Sequence, residues 1–240
     1  MSFTMWRGVV GMVRPTRRPG ATEEIIRMLP EGIGVLPFMV NFRAGSREEF
    51  KNAIPHYERY VAELAAEKVD LILLSGTPPF MLLGPQGEAK LIKSWEKKYQ
   101  TPIVTEPQMH VGAMKALKIR KFIGASYSAL QTKIVLEYLG RCGLKSLSME
   151  PLDMPFTQVG QVSVETVYAH VKRQWRTHPG ADGIYVHGGG WQIPGVVALL
   201  ENDLQVPVVY AQACHAWTIH KRLGVRETLP GYGRLIAELP

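Results

Sequence analysis

The chain has only two cysteines in 240 residues, Cys142 and Cys214. Two thiols cannot build a disulfide framework, and their spacing matches no metal site. The sequence therefore predicts a reducing, cytoplasmic setting, with no metal and no cofactor. Long hydrophobic runs are also missing, and nothing approaches the roughly 20 apolar residues that a membrane-spanning helix needs. The apolar stretch from Gly8 to Val13 is closed at once by Arg14, so the start is expected to be a first β-strand rather than a leader. Phosphate-binding and dinucleotide-binding glycine fingerprints are absent. HGGGW (187–191) looks like an esterase oxyanion motif, but no G-x-S-x-G nucleophile elbow accompanies it.

What is present is ordinary globular material, 46% hydrophobic and 20% charged, enough for one large core or two small ones. The formal charge of +7 is spread along the chain, and only Arg14, Arg17 and Arg18 gather locally. That distribution argues against a nucleic-acid partner and for a solvated surface with a mild pull on anions. Neither a membrane nor a nucleic acid is expected as a partner; homo-oligomerisation is left open.

Short apolar runs alternate with helical patterns, the signature of a parallel α/β fold. Strands are expected at Gly8–Val13, Gly34–Val40, Val69–Leu74, Pro102–Thr105, Lys121–Ala125, Ser146–Pro151, Gly183–His187 and Val206–Tyr210. Helices are expected at 47–67, 108–117, 128–140, 162–176 and 213–223. In the first of these, Phe50, Ile54, Tyr57, Val61 and Leu64 make one apolar stripe.

The chain also repeats itself. LILLSGTPP (71–79) is echoed by GIYVHGGGW (183–191), a buried strand running straight into a small-residue turn. Further on, Pro102, Val104 and His110 match Pro207, Val209 and His215 at one offset. Each half is thus one four-stranded unit. Ligands of open parallel sheets collect beyond the strands' carboxyl ends, so the site is expected between two lobes. The first lobe is predicted to comprise residues 1–117 and about 218–240, the second residues 118–217.

These paired strand–turn units, the tyrosine of GASYSALQTKIVLEYL (124–139), the VPVV strand and the terminal PGYGRL (230–235) resemble arylmalonate decarboxylase and its relatives in the Asp/Glu racemase superfamily, among them the maleate cis-trans isomerases. The resemblance extends along nearly the whole chain. It implies two pseudo-symmetric, flavodoxin-like α/β lobes and chemistry on a small anionic carboxylate held between them. It also implies a cysteine at the end of the third strand of each half: racemases use both thiols, whereas the decarboxylase uses only the second, to protonate the enediolate left by loss of CO2. Here those positions are Gly76 and Gly188. A two-thiol racemase mechanism is excluded, and the usual decarboxylase proton donor is gone.

The resemblance still implies an oxyanion cradle. Gly76, Thr77, Gly188, Gly189 and Gly190 can offer backbone N–H groups, Thr77 can add a hydroxyl, and Tyr127 matches the family's carboxylate-binding tyrosine. Pro78, where the decarboxylase has a serine, removes one donor. For the missing acid, His187 is the first candidate, set against a hydrogen-bonded structural histidine whose side chain strand alternation turns away from the cleft. Cys214 at a helix start is either a relocated thiol acid or a small buried hydrophobe. His110 and His215, as pseudo-symmetric partners, suggest a shared structural role at helix starts at least as much as catalysis. Glu106 is a base or, more conservatively, a solvated loop or capping carboxylate. Arg14 and Arg43 can each clamp a carboxylate in bidentate fashion or lie on the surface, and Phe156 and Trp191 can supply an apolar wall or pack in the core. The functions in contention are a decarboxylase-like lyase, an isomerase or hydrolase of a small unsaturated or cyclic acid, and a non-catalytic carboxylate binder.

Overall fold

The computed structural model describes residues 4–191 and 193–240. Its first four strands are β1 (Gly8–Arg14), β2 (Ile33–Met39), β3 (Leu71–Leu74) and β4 (Ile103–Thr105), and they form one parallel sheet in the order β2-β1-β3-β4. The next four are β5 (Lys121–Ser126), β6 (Lys145–Pro151), β7 (Gly183–Val186) and β8 (Val208–Tyr210). They form a second sheet of the same topology, β6-β5-β7-β8. All eight expected strands are present, and the repeat is a repeat of architecture.

Residue parity along the strands decides which core each side chain enters. Val10 and Met12 of β1, Leu71 and Leu73 of β3, Phe122 of β5, Tyr185 of β7 and Val209 of β8 all enter one central core shared by the two sheets. Their neighbours point the other way, Val13, Ile72 and Leu74 into an outer core of the first lobe and Ile123, Ile184 and Val186 into one of the second. Strands buried on both faces read as continuous apolar runs, as LILL and GIYV do.

Matching carboxylates anchor matching strands. Asp70 accepts the Val9 N–H at 2.7 Å, and Asp182 accepts the Lys121 N–H at 2.8 Å. Glu96 on helix α5 (Gly84–Tyr99) accepts the first N–H of β4, from Ile103, at 3.0 Å. Glu201 on α9 (Pro194–Leu204) accepts that of β8, from Val208, at 2.9 Å. Both helices end on a left-handed glutamine, Gln100 or Gln205.

The remaining helices are α1 (Ala21–Arg27), α2 (Arg47–Lys51), α3 (Ile54–Ala66), α4 (Thr77–Met81), α6 (Glu106–Ala116), α7 (Ala129–Arg141), α8 (Val164–Thr177), α10 (Ala211–Leu223) and α11 (Arg234–Glu238). The single helix expected over 47–67 is in fact two, α2 and α3. Pro55 in the first turn of α3 has no N–H to donate, and its ring would clash with the carbonyl of residue 51, so the chain turns at Asn52 and Ala53. Among the described residues no helix is long and apolar enough to cross a membrane.

Two helices knit the lobes together. α6 leaves β4 and packs beside β8, while α10 leaves β8 and returns to pack on α6, α1 and β3.

Candidate functional site

A cavity of about 40 Å3 lies between the lobes, beyond the carboxyl ends of the strands. Gly76, Thr77 and Pro78 line it from the turn after β3, and His187, Gly188, Gly189 and Gly190 from the turn after β7. Tyr127, Gln131, Glu106 and Arg18 add polar groups, while Phe42, Phe50 and Phe156 make an apolar flank. Gly76 has φ +98° and Gly188 φ +105°, conformations that L side chains rarely adopt.

The glycine cradle is partly engaged from within. Gly76 N–H donates to Glu106 Oε2, and Gly190 N–H donates to Tyr127 Oη at 2.7 Å. The second contact fixes the Tyr127 hydroxyl and leaves its proton to point at a ligand. Burial and the charge of Glu106 hold this phenol protonated against the pull of Arg18 and Arg14.

Glu106 is the largest departure from the sequence reading. It is no solvated loop carboxylate: it opens α6, is 1% exposed, and faces the cleft. Burial raises its pKa, against the Gly76 N–H and the nearby charge of Arg14. Its Oε1 lies 3.5 Å from His110 Nε2, and neither atom has a hydrogen-bond partner among the described residues.

His187 lines the cleft and is fully buried. The strand parity that turns Tyr185 toward the other lobe carries His187 to the same side, and there the inter-lobe face is the cleft floor. Its Nδ1 meets Tyr185 Oη at 3.0 Å, and its Nε2 meets Gln131 Oε1 at 3.2 Å and Thr77 Oγ1 at 3.3 Å. Desolvation lowers its pKa to about 3, so the imidazole is neutral at pH 7. A neutral imidazole is a very weak acid, so an acid role for His187 calls for a proton supplied from elsewhere.

The two symmetry-related histidines reach across the lobe boundary. His110 on α6 bonds to Tyr185 Oη of the second lobe through Nδ1 at 2.7 Å. His215 on α10 bonds to Ser75 Oγ of the first lobe through Nε2 at 2.7 Å, its Nδ1 donating to the Ala211 carbonyl at 2.7 Å. His215 is likewise held neutral by burial, its pKa lowered to about 3.

The other candidates separate cleanly. Cys214 is fully buried in the central core, where burial first and the Glu106 charge second push its thiol up; it does not line the cleft. Arg43 is exposed and also lies outside the cleft, its N–H bonded to Glu49 at 2.8 Å. Arg14 is buried near Glu106, its Nη1 without a hydrogen-bond partner among the described residues. Among the described residues the cation that lines the cleft is Arg18, half-buried, its guanidinium 4.5 Å above the Phe156 ring. Trp191 is core, donating to the His187 carbonyl at 2.5 Å, whereas Phe156 is indeed cleft wall. Among the described residues there is no cluster of three or more His, Cys, Asp or Glu placed to hold a metal.

The family model for arylmalonate decarboxylase matches residues 11–236. The chain belongs to the arylmalonate decarboxylase family. It is 22% identical to the arylmalonate decarboxylase of Bordetella bronchiseptica over 239 residues, covering 95% of this chain and 96% of that one. A crystal structure of arylmalonate decarboxylase superposes with a TM-score of 0.82 at 20% identity, covering 95% of this chain and 98% of its own. The maleate isomerase Iso from Pseudomonas putida gives 0.88 at 17% identity, with 97% and 99% coverage. The maleate cis-trans isomerase of Nocardia farcinica gives 0.85 at 20% identity, with 96% and 98%. The family and its fold neighbours include decarboxylases and isomerases of small carboxylates. In this chain the two positions where the resemblance implies thiols hold Gly76 and Gly188, and the buried carboxyl of Glu106 lies against Gly76.

Proposed function

We propose that the chain is a cofactor-independent, decarboxylase-like lyase of a small malonate-type acid. The observation that carries this reading is the meeting, in one cleft, of the glycine turns at 76–77 and 188–190, the oriented Tyr127 hydroxyl and two protic groups, Glu106 and His187, between lobes of this family's fold.

The retained carboxylate is held by the second-lobe turn, Tyr127 and Thr77, with Arg18 supplying positive charge. The departing carboxylate faces Phe42, Phe50 and Phe156, where loss of its hydration favours conversion to neutral CO2. The electron pair of the breaking C–C bond moves into the retained carboxylate to give an enediolate. The preorganised donors stabilise that charge best as it develops. A proton then adds to carbon, and with no thiol at either glycine it comes from the His187 and Glu106 side.

The test is proton NMR in D2O against aryl- and alkylmalonates and maleate. The lyase reading requires loss of CO2 with one deuterium gained at carbon. Interconversion of maleate without CO2 loss replaces it with an isomerase. Binding without turnover replaces it with a carboxylate-binding protein.

A further inference from the structure

The contacts beneath the cleft form a line across the lobe boundary, continuous but for one gap between Glu106 and His110. It runs from Glu106 Oε1 to His110 Nε2 (3.5 Å), from His110 Nδ1 to Tyr185 Oη (2.7 Å), and from Tyr185 Oη to His187 Nδ1 (3.0 Å). It ends from His187 Nε2 at Gln131 Oε1 (3.2 Å) and Thr77 Oγ1 (3.3 Å), which both line the cleft. Every member is at least nine-tenths buried. We propose that Glu106, His110, Tyr185 and His187 form a proton relay through which His187 hands a proton into the cleft while the negative charge left behind settles on Glu106.

The line satisfies its atoms in either of two polarities. In the first, the Glu106 carboxyl is protonated and donates to His110 Nε2, closing the one gap in the line after a small turn of the side chain. His110 Nδ1–H donates to Tyr185, the Tyr185 hydroxyl donates to His187 Nδ1, and His187 Nε2–H donates to Gln131. This polarity gives partners to the two unpaired atoms, Glu106 Oε1 and His110 Nε2. In the second, every proton has moved one place. His187 Nε2–H has passed to the acceptor in the cleft and formed the new C–H bond there. Tyr185 O–H has passed to His187 Nδ1, His110 Nδ1–H to Tyr185, and Glu106 O–H to His110 Nε2. One proton leaves the line and one negative charge appears, on Glu106, where the Gly76 N–H, the new His110 Nε2–H and the Arg14 guanidinium receive it. The Thr77 hydroxyl then donates to the emptied Nε2.

The relay removes the difficulty that a neutral imidazole is a very weak acid. His187 begins and ends neutral, having exchanged one tautomer for the other, and the acid consumed is a buried carboxyl. A proton from cleft water at His187 Nε2 runs the line backward and resets it. Use of the relay in turnover rests on the lyase reading above; the coupling between its members does not.

That coupling is tested without substrate, by 15N NMR of labelled histidines between pH 5 and 9, where the nitrogen shifts distinguish the tautomers. Glu106 is faced by Arg14 from β1, Tyr57 from α3, Tyr127, Tyr185 from β7 and Cys214 from α10. The arginine stays charged, the phenols and the thiol are pushed up, and both relay histidines are pushed down, which leaves Glu106 to titrate. Glu24, beyond Arg14, also titrates near pH 7, so the measurement is repeated in Glu24→Gln.

His110 and His187 are expected to switch tautomer together with one midpoint. Glu106→Gln, which keeps an acceptor for Gly76 and a donor for His110, should abolish the switch, and Tyr185→Phe should leave His187 fixed. In turnover Tyr185→Phe should lower kcat on the order of 100-fold with little change in KM, the scale of one general-acid contribution. A His187 tautomer that never changes, or one that still switches in Tyr185→Phe, overturns the relay. Coupled tautomers in a protein that decarboxylates nothing keep the relay and sink the lyase reading; decarboxylation with uncoupled tautomers does the reverse.

Discussion

Tyr127 stands in the space that a side chain at Gly188 would need. A Cβ built on Gly188 collides with the Tyr127 hydroxyl and ring, on a backbone whose φ is +105°. Opposite, a Cβ on Gly76 would lie 2.6 Å from Tyr57 Oη and 3.0 Å from Pro15 Cβ, with φ +98°. The two positions where the resemblance implies thiols are thus closed by tyrosines packed onto glycine.

Placing a thiol at Gly188 should therefore harm the protein. Gly188→Cys combines a left-handed backbone with a side-chain collision, at a cost of about 2 kcal/mol or more. In a chain of this size that lowers Tm by about 4–8 °C. Adding Tyr127→Ala should recover part of the loss. An unchanged melting temperature for Gly188→Cys alone would show that the space is not occupied as described.

Arg18 and Arg43 should behave oppositely. Arg18→Met removes the cation that lines the cleft, and KM for an anionic acid should rise by about 10-fold or more, the worth of one charge-assisted hydrogen bond. Arg43→Ala, exposed and outside the cleft, should leave both kinetic constants alone. Steady-state kinetics on the two variants checks both statements, and equal effects would relocate the anion site.

Glu24 makes stability fall as pH rises. Burial on α1 lifts its pKa to about 7, against a hydrogen bond from Tyr210 and the charges of Arg14 and Arg27. Tyr210 has one proton for two acceptors, the Trp191 carbonyl at 3.0 Å and Glu24 at 3.3 Å, so a protonated Glu24 that donates to Tyr210 resolves the conflict. Because the folded pKa lies above the unfolded one, the stabilisation is complete below about pH 4.5. It is lost progressively as pH rises to about 7, a change of about 3 kcal/mol. Chemical denaturation between pH 5 and 8 should show that slope, and Glu24→Gln should flatten it.

Glu201 is a joint as well as a strand anchor. It accepts the Val208 N–H at 2.9 Å and the Arg234 N–H at 2.8 Å, tying the start of α11 to β8. Glu201→Ala leaves two backbone donors unpaired, at about 2 kcal/mol, and should speed proteolysis after residue 225. Glu201→Gln keeps the acceptor and should resist. Equal cleavage of both variants would discount the joint.

The strands were legible because each is a short apolar run ending in a small-residue turn, and the repeat announced the second sheet. Helix α5 was harder, since GPQGEAK opens with helix breakers; its face is marked only by Glu88, Ile92 and Trp95 at helical spacing. The cradle could be read from glycines at fixed offsets. Glu106 could not, because its position before a helix fits a solvated cap equally well, and only the packing of two lobes buries it. Tyr185 was hidden in the same way, one polar atom inside an apolar strand, and its partner His110 lies 75 residues away.

The exchange of helices between the lobes also decides how a ligand can enter. With α10 laid on β3 and α6 laid beside β8, neither lobe can swing aside without unpacking a helix from the other's sheet. Admission falls instead to the rim, where Phe156 of the second lobe is covered by the Arg18 guanidinium and pressed against Gly45 of the first. Such a chamber is expected to admit ligands by movement of these rim side chains rather than by a hinge between the lobes.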